Sequence, residues 1–177
     1  MKILKTNKHK TKFVAYAATS IDGKISIDNK KMPDWTSKED WDFFQKSLMK
    51  FDAFIVGHNT YLTSEKYISK RNAFVLTSKV KMPIVDGSVT FVNPKYINLK
   101  TIFSKYKKVA IVGGGYAYET MRNLDMLDEL FLTIEPIIFG RGLELFHDGK
   151  KNTKMKLLSV KKLNIKGTIL LHYKNES

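Results

Sequence analysis

Short apolar runs without polar interruption recur along the chain, separated by stretches whose apolar residues return every three to four positions. Phe13–Thr19 reads as a strand. Ala53-Phe54-Ile55-Val56 closed by Gly57, then Ala73–Leu76, Val89–Val92 and Val109–Val112, read as strands buried on both faces. A polar loop runs from Ser20 to Thr36. Thr36-Ser37-Lys38-Glu39 has capping-box spacing and opens a helix. Trp41, Phe44, Leu48 and Met49 give that helix its apolar face, and it ends near Phe51. Thr60–Glu65, Leu99–Tyr106 and Tyr116–Leu124 read as further helices, and Glu129–Glu135 as a strand. Met155–Leu163 and Thr168–Tyr173, joined at Lys166-Gly167, read as a terminal hairpin.

Strands alternating with helices predict an α/β fold in three layers. A mostly parallel central sheet carries helices on both faces and a C-terminal antiparallel hairpin. Ligands of such sheets bind beyond the carboxyl ends of the strands, so the residues just after each strand matter most. After Val112 comes Gly113-Gly114-Gly115, then the helix beginning at Tyr116 and Ala117. Consecutive glycines cost backbone entropy. They read either as a cradle for a diphosphate at a helix start or as a tight turn needing positive φ. After Val56 comes Gly57-His58-Asn59-Thr60, a second phosphate position or an ordinary cap by Asn59 or Thr60. After Leu76 come Thr77, Ser78 and Lys79, which suit a phosphate monoester or a solvated turn. Three such features after neighbouring strands suggest one extended ligand with several phosphates. A dinucleotide with an additional ribose phosphate fits.

Proton chemistry needs an acid. Asp40 sits on the first helix with Phe44 one turn later on the same face. A carboxyl beside an aromatic wall can hold a raised pKa and act as proton donor or substrate anchor. First-turn complementation of the helix dipole is the plainer alternative. Asp22, in Ser20-Ile21-Asp22-Gly23-Lys24, follows the first strand and reads as a catalytic carboxylate or an Asp-Gly turn. Glu135 ends a strand before Pro136, and its side chain belongs to pocket or rim. Trp35 lies on the long loop and could cover a ligand. The four histidines have no ligand-like spacing, so no metal site is expected.

Composition narrows the classes. The chain has 177 residues, 31 Lys plus Arg against 17 Asp plus Glu, and a formal net charge of +14. That charge invites a nucleic-acid reading. Yet only Arg71, Arg122 and Arg141 are Arg, the side chain best suited to bidentate recognition of bases and phosphates. Cys is absent, which removes disulfides, Cys-bound zinc and thiol nucleophiles. Residues 1–12 read as a basic tail and residues 13–177 as a single domain. No apolar stretch approaches a membrane span and no secretory signal is visible, so a cytoplasmic protein with a small-molecule substrate is expected.

Taken in order, the motifs resemble the dihydrofolate reductase superfamily, most closely the reductase domain of the bacterial riboflavin-biosynthesis deaminase–reductase. Ser20-Ile21-Asp22-Gly23-Lys24-Ile25 is similar to that domain's S-x-D-G-K-I, and Asp52–Thr60 to its D-A-x-x-V-G-x-x-T. Val112–Gly115 resembles the superfamily's cofactor turn, and Asp128-Glu129-Leu130 with Pro136 and Gly140-Arg141-Gly142 its D-E-L…P-x-x-x-G-x-G. The resemblance implies a dihydrofolate reductase-like fold and NADPH as hydride donor. Gly57 and Thr60 would contact its phosphates, and Thr77, Ser78 and Lys79 its ribose phosphate. Gly113, Gly114, Gly115, Tyr116 and Ala117 would hold the diphosphate. Asp22 and Asp40 become the catalytic carboxylates, and Trp35, Phe44 and Thr133 the substrate contacts. Two substrates are implied, a phosphorylated ribosylaminopyrimidine or a pterin, and a homodimer is possible. The sequence departs from the pattern at His58, often Arg in the superfamily, and lacks the Cys that the zinc deaminase half would need. A nucleic-acid binder is the alternative of another class, with binding that falls steeply with salt.

Overall fold

β1 (Lys12–Thr19) runs through the middle of the molecule with a parallel partner on each side, β7 (Lys108–Ile111) and β8 (Glu129–Ile134). The computed structural model describes residues 10–28, 32–147 and 152–176. The expected basic tail falls mostly on residues 1–9, outside the described residues. Among the described residues, nine strands form one sheet. From edge to edge they are β10 (Met155–Lys162), β11 (Ile169–Asn175), β8, β1, β7, β3 (Ala53–Gly57), β4 (Ala73–Leu76), β6 (Val89–Val92) and β5 (Ile84–Asp86). The block from β8 to β6 is parallel. β11 with β10 closes one edge by antiparallel pairing, and β5 closes the other.

Helices cover both faces because the central strands alternate their apolar side chains between two cores. Phe54 and Val56 point one way, toward Leu48 of α1 (Lys38–Leu48) and toward Tyr61 and Ile68 of α2 (His58–Ile68). Ile55 points the other way. There Leu99 and Phe103 of α3 (Leu99–Phe103) and Ala117 and Met121 of α4 (Gly115–Asn123) complete the second core with Phe13, Phe74 and Ile111. Each fully buried side chain of this size contributes roughly 2 kcal/mol. Both cores are continuous across β7, β3 and β4. That holds three strand ends side by side and leaves the loops after them as the natural binding edge. No helix among the described residues is long and apolar enough to cross a membrane.

The structure corrects several expectations. The cap of α1 is Ser37, not Thr36, and the helix ends at Leu48, so Met49 is 79% exposed instead of lying on the apolar face. α2 starts at His58 with Gly57 at its N-cap and no side-chain cap, so neither Asn59 nor Thr60 plays that part. The Ser20–Thr36 loop contains a strand, β2 (Lys24–Ser26), paired with β9 (Leu143–Glu144). At Gly142 φ is +137° and an added Cβ would stand 2.3 Å from the Ser26 carbonyl oxygen, so the ribbon needs glycine there. β5 is wholly exposed, and its Ile84-Val85 pair carries no pattern that marks a strand.

Candidate active site

The loops after β7, β3 and β4 meet at one end of the sheet and line a cavity of about 870 Å³. Val112 donates its N–H to Ile55 O at 2.9 Å, and Gly57 donates to Gly113 O at 2.7 Å. These bonds lash the β3 and β7 turns together. Gly113 sits at φ +123°, a conformation that favours glycine. Gly114 is the N-cap of α4, and a Cβ there would lie 2.7 Å from Thr60 Oγ1. α2 and α4 therefore begin side by side, each from a glycine, each without a side-chain cap. Two helix starts present N–H groups that lack intrahelical acceptors, together with the positive ends of two dipoles. Such a surface can take anionic groups.

The turn after β4 adds hydroxyls and a cation. Thr77 Oγ1 accepts from the Lys79 N–H at 3.2 Å, and Thr77 N donates to Val92 O at 2.9 Å. Thr77, Ser78 and Lys79 line the cavity beside His58. Burial first, and the Lys79 charge second, lower the His58 pKa, which favours its neutral form. Its Nδ1 is buried without a hydrogen-bond partner.

The opposite end of the cavity is aromatic and acidic. Asp40 of α1 accepts from Thr133 Oγ1 of β8 at 2.5 Å. Phe44, Trp41 and Phe131 line the same space, and Trp35 packs edge-on against Phe139 with ring centroids 5.1 Å apart. Burial pushes the Asp40 carboxyl up to about 6, the nearby Glu135 charge adds to that rise, and the Thr133 hydrogen bond opposes it. Asp40 can therefore hold or release a proton near neutrality.

The structure brings Asp40, Trp35, Phe44 and Thr133 together at one end of this cavity. Gly57, Thr60, Thr77, Ser78, Lys79, Gly113, Gly114, Gly115 and Tyr116 line the other. It leaves two expected residues out. Asp22 is not among the lining residues, and its carboxylate accepts from Ser20 Oγ at 2.6 Å and from the N–H groups of Phe139 and Gly140 at 3.1 and 2.8 Å. Those bonds hold its pKa down at about 2. Asp22 thus ties down the loop that leads into β9, and these donors favour its ionised form. Ala117 is fully buried, and its N–H already donates to Gly114 O at 2.9 Å. Conversely, Tyr16, Glu144 and His147 line the cavity without any local signal in the sequence, and Ile25 joins them from the S-x-D-G-K-I stretch. Ile25 and Glu144 arrive on the β2–β9 ribbon, and an added Cβ on Gly115 would stand 3.1 Å from Glu144 O.

A mostly parallel sheet with this edge pairing, and a cavity crossing the ends of β7, β3 and β4, defines a dihydrofolate reductase-like fold. The dihydrofolate reductase of Enterococcus faecalis, complexed with NADP(H) and RAB-propyl, shares the fold with a TM-score of 0.66 at 19% identity, over 96% of this chain and 99% of that one. Within that class the chain belongs to the RibD C-terminal domain family, whose model matches residues 11–167. It is 27% identical over 176 residues to uncharacterized protein YwjB of Bacillus subtilis (strain 168), covering 92% of this chain and 97% of that protein. A pyrimidine reductase-like protein from Corynebacterium diphtheriae has the same fold, with a TM-score of 0.75 at 19% identity over 94% of this chain and 92% of that one.

Proposed function

We propose that the protein is an NADPH-dependent reductase acting on a pyrimidine- or pteridine-type substrate. The family, and relatives named as pyrimidine reductase-like and dihydrofolate reductase, support reductase chemistry. The observation that carries the reading is one cavity with two unlike ends. One end is built of glycine turns and helix starts, the other of aromatic rings around the Asp40 carboxyl.

The glycine end fits a dinucleotide. At Gly114 the cradle has no room for a side chain, because a Cβ would collide with Thr60. Gly57, Thr60 and Gly113–Tyr116 would hold the diphosphate, and Thr77, Ser78 and Lys79 the ribose phosphate. The bound nicotinamide supplies the hydride. The chain's own residues orient and protonate. Asp40 engages a ring N–H or amino edge of the substrate and holds the proton that balances the hydride. Thr133 fixes the carboxyl through Oγ1. Phe44, Trp41 and Phe131 exclude water from the reacting face, and Trp35 covers it.

The test is cofactor oxidation against pterins and ribosylaminopyrimidines, with and without a 5′-phosphate. NADPH should be consumed with at least one of them, at a rate that declines as pH rises through about 6, where Asp40 loses its proton. Asp40→Asn should slow turnover roughly 100-fold or more and flatten the pH profile. NADPH binding without oxidation of any substrate in the panel would reduce the protein to a nucleotide binder.

A further inference from the structure

The first turn of α1 divides its work between two carboxylates in an unexpected way. Ser37 is the N-cap, and its Oγ accepts from the Asp40 N–H at 3.3 Å. Asp40 is therefore the third helical residue. From that position a carboxylate ordinarily reaches back to the N-cap N–H and completes a capping box. Here the Ser37 N–H donates instead to Glu135 Oε1 at 2.6 Å, from the end of β8. Asp40 Oδ1 accepts from Thr133 Oγ1. Thr133 and Glu135 are two residues apart on one extended segment, so their side chains leave the same face. The links close into a circuit: Thr133 to Asp40, Asp40 to Ser37, Ser37 to Glu135, and back along the strand.

Glu135 is firmly held. It is 4% exposed, and its N–H donates to Thr19 O at 2.8 Å. Its Oε2 accepts from Thr168 Oγ1 at 2.6 Å, at the foot of β11. Asn164 of the hairpin turn donates to Thr168 and to Glu39 of α1, beside which Lys166 places its charge. Among the described residues, the titratable groups that act on Asp40 or are acted on by it are Glu135, just past β8, and Tyr118 from α4.

We propose that Glu135 is a positioning residue for the Asp40 carboxyl: by taking the capping N–H of Ser37, it leaves Asp40 turned toward Thr133 and the cavity. This inference rests on reading Asp40 as the group that meets substrate. The Glu135 charge acts in the same sense, since a neighbouring negative charge favours the protonated form of Asp40.

The experiment is a carboxyl-carbon NMR titration of Asp40 in the substrate-free protein, with the signal assigned by its loss in Asp40→Asn. The wild type should titrate at about 6. Glu135→Gln keeps the shape and an acceptor for Ser37 but removes the charge, and the midpoint should fall by roughly one unit. Glu135→Asp keeps the charge but withdraws the acceptor by one methylene. Asp40 can then cap Ser37 itself, so its midpoint should fall too, and KM for substrate should rise more than kcat falls. In the wild type the Ser37 amide should be protected from hydrogen exchange. An Asp40 midpoint that stays put in either folded variant, or a Ser37 amide that exchanges freely, overturns the proposal. The titration involves neither cofactor nor substrate. If it behaves as stated while no substrate is reduced, Glu135 keeps its role and the reductase reading alone fails.

Discussion

At the scale of single residues, two aspartates show how environment sorts like side chains. Asp22 is bound by three donors that favour its ionised form, whereas Asp40 is half-buried among rings and drawn toward the protonated form. A carboxyl whose folded pKa is raised stabilises the fold in full only below its unfolded pKa, near 4, and that contribution is gone once the pH passes about 6. Asp40→Asn removes the cost of holding a buried charge. It should raise stability at pH 8 by on the order of 2 kcal/mol and give no gain below about pH 4. Thermal melts of both proteins across that range check the sign. The acidic candidate on α1 was legible from its spacing to Phe44. Its partner Thr133 lies 93 residues away and came only through the family resemblance. The side taken by Glu135 was undecidable locally, because its partners Ser37 and Thr168 come from two other segments.

At the scale of elements, the glycine turn and the start of α2 act as one piece. The contact between Gly114 and Thr60 makes that testable. Gly114→Ala should cost ~1–3 kcal/mol through overpacking and abolish stabilisation by NADPH. Adding Thr60→Ala removes the colliding oxygen, so the double variant should be less destabilised than the sum of the two single changes. Denaturant unfolding of the four proteins in the cycle measures the difference. A purely additive result would remove the contact from the site's architecture. The turn was readable as Gly113-Gly114-Gly115 after a buried run. The β2–β9 ribbon was not, since two short exposed strands carry no periodicity, and their pairing depends on Gly142 passing against Ser26.

At the scale of the molecule, the parallel block places the ends of β7, β3 and β4 in a row, and an extended ligand can cross all three. Ligand that binds the folded state raises the melting temperature by an amount that grows with the logarithm of its concentration over Kd. NADPH should raise it more than NADH does, because Thr77, Ser78 and Lys79 offer hydroxyls and a cation for the extra phosphate. Lys79→Ala should shrink that difference and leave the NADH shift unchanged. Equal shifts for the two cofactors in the wild type would sink the assignment of the β4 turn to the ribose phosphate. The net charge of +14 loses its first meaning in this picture. The cation that matters for the reading is Lys79, at the mouth of the site.

The order of the central strands and the helices, the parallel sheet and the glycine turns followed from sequence alone, because uninterrupted apolar runs and Gly-rich strand ends are local physical signals. The tertiary structure decided which polar groups meet. It removed Asp22 from the cavity by giving its carboxylate three nearer donors, and it brought in the β2–β9 ribbon through one close backbone approach. It also set Glu135 against Ser37, so that Asp40 faces Thr133. Hydrogen bonds between groups nearly a hundred residues apart leave no trace in periodicity, since neither partner's neighbours specify the other.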